Sequence, residues 1–163
     1  MFRSVARAAL ATTTAAALTA ALPVPGSAST APPADERKRI LDSMGSKGNR
    51  VPVAALPTCN HFTVGQYVRF PSVGSPGPID CKLEYGNYNN WGVVALQQWL
   101  YHCNGAPQVK VDGDYGKVTR DVITWIQAVK GIKADGIYGP DTRAVLSWAK
   151  FNGNTFIGCL PPA

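Results

Sequence analysis

Residues Asp112 to Trp125 read DGDYGKVTRDVITW, and residues Asp135 to Trp148 read DGIYGPDTRAVLSW. Asp, Gly, Tyr, Gly, Thr, Arg, Val and Trp recur in register from Asp112 to Asp135, 23 residues on, without a gap. A repeat of this kind is one supersecondary unit used twice, each copy too small to bury its apolar face alone. Each copy reads as a turn that starts a helix. Asp112 and Asp135 accept from following backbone N–H groups, and Gly113 and Gly136 supply the positive φ of a tight turn. Gly116 and Gly139 free the chain to enter the helix, and Pro140 suits a first helical position. Thr119 and Thr142 fall in those first turns. Val122, Ile123, Ile126 and Val129 then mark one face at helical spacing, as do Val145, Leu146 and Ala149. Gly131 after Lys130 stops the first of these helices.

Upstream, Asn89 or Asn90 is placed to cap a further helix from Trp91 to about Cys103, with Val93, Leu96, Leu100 and Cys103 on one face. Asn104-Gly105 ends it. Three amphipathic helices in succession predict an all-α domain, a small three-helix bundle with a duplicated DGxYGxxT turn-helix unit. Phe62 to Phe70 (FTVGQYVRF) is β-like, with Val64, Gln66, Val68 and Phe70 on one side. The expectation is therefore an irregular or β-like N-terminal extension, stapled by disulfides and packed on the bundle.

The chain begins with Arg3 and Arg7 ahead of the apolar run Ala8 to Leu22, followed by Pro23, Pro25 and small residues. That is the layout of a signal peptide cleaved after Ala28 or Ser29, and the run is too short and proline-broken for a membrane anchor. The expected organisation is signal peptide over 1–28, flexible linker over 29–56, cysteine-containing extension over 57–82 and three-helix domain over 83–163. A short helix around Asp35 to Met44 is the alternative within the linker. Removing Arg3 and Arg7 leaves 14 basic against 10 acidic residues, so the net charge falls from +6 to about +4. So mild and scattered a charge excludes a nucleic-acid footprint and favours an anionic surface.

Four cysteines in an exported chain predict two disulfides. Four allow three pairings, and Cys81–Cys103 with Cys59–Cys159 is the expected one, the first closing the lead-in to a helix and the second tying the domain's ends. Cys59 with His61, and His102 with Cys103, do not have the spacing of a zinc set, so no metal and no cofactor is expected.

The residues also carry a resemblance. Val93-x-x-Leu96-Gln97-x-x-Leu100, then Asp112-Gly113-x-Tyr115-Gly116-x-x-Thr119-x-x-Val122-Ile123-x-x-Ile126-Gln127, then Asp135-Gly136-x-Tyr138-Gly139-Pro140-x-Thr142 resembles the peptidoglycan-binding domain 1 family over about Leu83 to Phe151. Val122 and Ile126 depart from its usual Ala and Phe, which are volume changes in a core. The resemblance implies a three-helix fold and a secreted, non-catalytic module whose partner is the glycan strand or stem peptide of peptidoglycan. It implies an extracellular or wall-associated monomer, outside the membrane once the leader is removed.

No Ser/His/Asp, HExxH or paired-carboxylate arrangement is present, and His61 and His102 are the only general bases near neutral pH. The chain reads as no enzyme. A secreted protein-binding or inhibitor-like chain is the runner-up, and a minimal wall hydrolase the third reading. Candidate ligand contacts are the repeat-related Arg120 and Arg143, whose guanidinium forks suit a carboxylate, and Tyr115 and Tyr138. Trp99, Trp125 and Trp148 complete the set, each one residue before a family core position. These three rings either line a ligand groove or receive the N-terminal extension with Phe62, Tyr67 and Phe70.

Overall fold

The structure, a computed structural model, describes residues 51–162. The expected signal peptide, the helix at Asp35 to Met44 and all but the end of the linker lie outside the described residues. Val53–Ala55 forms a single 3-10 turn, and Val53 Cγ2 sits against Gly139, only 2.5 Å from where a Cβ there would stand. Leu56 reaches the edge of the core.

The helices begin and end where local chemistry dictates. Helix α1 spans Trp91–Cys103, and the Asn90 side chain accepts from the N–H groups of Gly92 (2.8 Å) and Val93 (3.3 Å), a side-chain cap of its first turn. Helix α2 spans Lys117–Val129 and stops before Gly131, whose φ is +69°. Helix α3 starts with Pro140 at its first position but runs only to Val145. The turn glycines Gly113 and Gly136 take φ of +84° and +72°. A Cβ on Gly136 would stand 2.7 Å from Thr124 Oγ1 and 2.8 Å from Arg120 Cγ, so this glycine is required twice over.

The all-α three-helix bundle is overturned by a four-stranded antiparallel sheet whose strands lie side by side in sequence order. Strands β1 (His61–Gly65) and β2 (Val68–Ser72) form one hairpin, and β3 (Trp148–Asn152) and β4 (Thr155–Leu160) form another. The two hairpins meet at the single pair Val68–Lys150. Val145, Leu146 and Ala149 therefore do not share a helical face: Leu146 is already extended and Ala149 belongs to β3. What wins is the β-prone run Trp148-Ala149-Lys150-Phe151, which a turn with Gly153 at φ +57° pairs to Leu160, Cys159, Gly158 and Phe156 across a bulge. Phe62 to Phe70 is likewise a hairpin instead of one strand, so Val64 is exposed while Val68 and Phe70 are buried.

The first hairpin turns on Gln66 and Tyr67, both at positive φ (47° and 68°), a geometry that favours Asn-Gly. Replacing this pair by Asn-Gly is expected to raise stability by about 1 kcal/mol. An unchanged or lower urea midpoint would contradict that.

Helix α1 packs on the sheet through interlocked rings. Phe70 meets Trp99 edge-on at 5.5 Å and Trp148 at 4.9 Å, and Trp99 lies 6.2 Å from both Trp148 and Tyr138. The disulfides are Cys59–Cys81 and Cys103–Cys159, which corrects the expected Cys81–Cys103 and Cys59–Cys159. The reason is the sheet. Cys59 N–H bonds to Lys82 O at 2.9 Å, which sets Cys59 beside Cys81, and β4 carries Cys159 to the C-terminal end of α1. Among the described residues no helix is long and apolar enough to cross a membrane.

Candidate functional site

The turn-helix units share one polar device. Gln97 of α1 reaches into the first DG turn, accepting from the N–H of Asp112 (3.0 Å) and of Gly113 (2.9 Å). Its amide nitrogen donates to Asp112 Oδ1 (2.9 Å), Asp114 O (3.0 Å) and Thr119 Oγ1 (3.4 Å). Gln127 of α2 does the same in the second turn. It accepts from Gly136 N–H (2.8 Å) and donates to Asp135 Oδ1 (3.1 Å), Ile137 O (2.9 Å) and Thr142 Oγ1 (3.0 Å). Each glutamine clamps the turn that launches the next helix. Gln97 and Gln127 were legible only as part of the family pattern, because the residue they clamp lies 15 positions on in one copy and 8 in the other.

Asp112, Gly113, Gly116, Asp135, Gly136 and Gly139 thus sit in or beside the clamped turns. The Asp112 carboxylate is held below its ordinary value of 3.8, first by the Asp114 N–H and then by Gln97, against the opposing cost of desolvation. A carboxylate with a depressed folded-state pKa adds stability above its unfolded value, and that stability is lost as pH falls through the folded one. Asp112→Asn is therefore expected to flatten the loss of stability between about pH 5 and pH 2. Urea midpoints that fall as steeply in the variant as in the parent would contradict this.

The candidate contacts divide sharply. Arg143 is 2% exposed, donating to Ile79 O and to Asp80 Oδ1 at 2.9 Å. Its backbone O accepts from Trp148 Nε1 at 3.0 Å. Tyr115 is buried and donates to Gly136 O at 2.9 Å, joining the first unit to the second turn. Tyr138 is buried too, its backbone paired to Leu83 in both directions. Burial pushes both phenols well above their ordinary value. Trp99 and Trp148 are fully buried against Phe70, so these two receive the N-terminal extension, and of its three aromatics only Phe70 makes that contact. None of these five side chains is accessible to a ligand.

Arg120 and Trp125 are accessible, and both lie on α2. Trp125 is 61% exposed and lines an open cleft of about 330 Å³ with Gln108, Val118, Asp121 and Val122. Positions 118, 121, 122 and 125 follow helical spacing, so α2 alone forms one wall. Hydrogen bonds from Lys117 and then Arg120 hold the Asp121 carboxyl below its usual value, so the cleft presents a carboxylate already paired with two cations. Arg120 bonds Asp121 through two nitrogens (3.1 and 2.9 Å) and lies 5.3 Å from the Tyr85 ring centroid. Tyr88, hydrogen-bonded to Tyr85, has its phenol pushed up. The cleft offers an aromatic plane, two aliphatic side chains, an amide and a carboxylate. Sequence reasoning placed Trp125 as a candidate but missed Asp121, Val118 and Gln108, which carry no motif. Among the described residues no cluster of acidic, histidine or cysteine side chains is arranged to hold a metal ion.

Comparison with curated proteins and with solved structures yields no match. Residues 90–146, which hold α1, both clamped turns, α2 and α3, match the model of the family described as "Putative peptidoglycan binding domain".

Proposed function

We propose that this chain is a secreted, non-catalytic wall protein that holds peptidoglycan in the α2 cleft. The observation that carries the reading is Trp125, a large ring left 61% exposed beside a charged carboxylate inside the family-matched segment. An exposed indole face stacks on apolar ligand surface, and Asp121 accepts from an amine or amide of a stem peptide. Two disulfides support an oxidising, extracellular setting. The non-catalytic part is supported by what surrounds the histidines. His61 lies beside Phe62 and Trp91, and His102 is stacked on Phe156 at 4.4 Å, settings of ring packing instead of a charge-paired base. A protein-binding reading needed a contiguous apolar patch around three tryptophans, and two of those are in the core.

The test is titration of a soluble disaccharide-peptide fragment of peptidoglycan into the isotope-labelled chain. Shifts are expected at Val118, Asp121, Val122 and Trp125. Trp125→Ala is expected to weaken binding by roughly tenfold while leaving the melting temperature unchanged, since the ring is mostly in water. Binding by the variant as tight as by the parent would refute the cleft.

A further inference from the structure

The solvent-facing side of α1 is unlike that of α2 or α3. The helix, WGVVALQQWLYHC, has no charged side chain, and its residues outside the core are Trp91, Val94, Gln98, Tyr101, His102 and the bridged Cys103. Apart from Cys103, these fall at helical spacing on one stripe, where a solvated helix ordinarily carries charge. Helix α2 shows the ordinary pattern, with Lys117, Arg120 and Asp121 outside.

Residues from both hairpins widen the stripe into a face. Trp91 lies 6.5 Å from His61 and edge-on to Phe62 at the same distance. Arg69 stands over Phe62 at 5.3 Å and over Phe151 at 4.9 Å. His102 meets Phe151 at 5.6 Å and stacks on Phe156 at 4.4 Å with 13° between planes, and Tyr101 abuts His102 at 4.9 Å. The rings are held by one another, so their planes are set before any ligand arrives. Trp91 (58%), Tyr101 (45%) and Phe156 (38%) remain open to solvent.

The cation within this face is already engaged. Arg69 donates to Gln98 Oε1 (3.2 Å), Gly153 O (2.7 Å) and Asn154 Oδ1 (3.0 Å). With their oxygens turned to Arg69, the amides of Gln98 and Asn154 keep their NH2 groups as donors to a ligand. Aromatic planes flanked by neutral amide donors, with the local charge internally satisfied, suit a ligand that has apolar ring faces, carbonyl acceptors and no charge. That chemistry disfavours phosphate polymers, nucleic acid and anionic lipid, each of which needs free cations. We infer that the α1 face binds a neutral strand of N-acetylated hexosamines, with sugar faces on Trp91 and Phe156 and acetamido carbonyls on Gln98 and Asn154. This face lies outside the α2 cleft, and the inference stands without it.

The experiment titrates a hexasaccharide of β-linked N-acetylglucosamine into the isotope-labelled full chain, folded under oxidising conditions. Shifts are expected at Trp91, Gln98, Tyr101 and Phe156. Trp91→Ala and Phe156→Ala should each weaken binding about fivefold or more, Trp91→Phe should retain most of it, and Trp125→Ala should bind as the parent does. A glucose hexasaccharide, lacking the acetamido group, should bind more weakly. The inference is overturned if the folded chain shows no shift at millimolar sugar, or if Trp91→Ala binds normally. It is overturned equally if both sugars bind alike, or if deleting residues 29–50 alone reproduces the shifts, in which case the chain's own segment covers the face. Failure of the stem-peptide titration at Trp125 would leave these outcomes untouched.

Discussion

Gln97→Ala and Gln127→Ala are each expected to destabilise the fold by about 3 kcal/mol, more than an ordinary surface or partly buried substitution. Both side chains are 1% exposed and each makes at least four hydrogen bonds. Truncation leaves the buried N–H of Gly113 or Gly136 without its acceptor, and it removes the donor facing a turn carbonyl and carboxylate. The helix that follows each turn then loses the anchor of its first residues. Gln97→Glu is expected to be as damaging near neutral pH, because a second carboxylate would face Asp112 Oδ1 in place of an amide donor. Urea unfolding of the three single variants checks this. Shifts below about 1 kcal/mol for both alanine variants would show that the turns stand without their clamps.

The second large effect is loss of the Cys103–Cys159 bridge. It spans 56 residues and fastens the β3–β4 hairpin to the end of α1. The chain-entropy relation gives about 4 kcal/mol for a loop of that length, and about 3 kcal/mol for the 22 residues between Cys59 and Cys81. Cys159 is exposed, whereas Cys59 and Cys81 are fully buried. A mild reductant is therefore expected to release two thiols well before four, with the Cys103→Ser/Cys159→Ser chain still folded but melting at a lower temperature. Simultaneous release of all four thiols from the native chain would contradict the assignment of one accessible and one buried bridge.

Local chemistry was legible in the sequence and tertiary placement was not. The Asn90 cap, the bounds of α1, the stop at Gly131 and Pro140 at the start of α3 each depend on neighbours within a few residues. The sheet does not. Its hairpins come from opposite ends of the domain, and the first turns on Gln66-Tyr67, which lacks the usual turn residues. The repeat itself misled. Trp125 and Trp148 occupy the same repeat position, yet one is an exposed helical ring and the other a buried strand ring. Arg120 and Arg143 diverge in the same way, because Ile79 and Asp80 cover only the second copy. Equivalent residues in a repeat have equivalent roles only where their surroundings repeat too. The glycine in the Asn152-Gly153 turn between two β-prone runs was the available signal for the second hairpin.

The central claim is that the folded chain holds peptidoglycan, and co-sedimentation tests it most directly. The disulfide-intact protein is spun with purified insoluble peptidoglycan, and with cellulose as control, over rising salt. Attraction of a cationic chain to an anionic wall is screened within a few ångströms at about 1 M salt, whereas stacking and close hydrogen bonds persist. The account predicts retention on peptidoglycan through about 0.5 M salt, little retention on cellulose, and release by soluble muropeptide. A folded chain that stays in the supernatant, or one that leaves the pellet as soon as salt is raised, would contradict it.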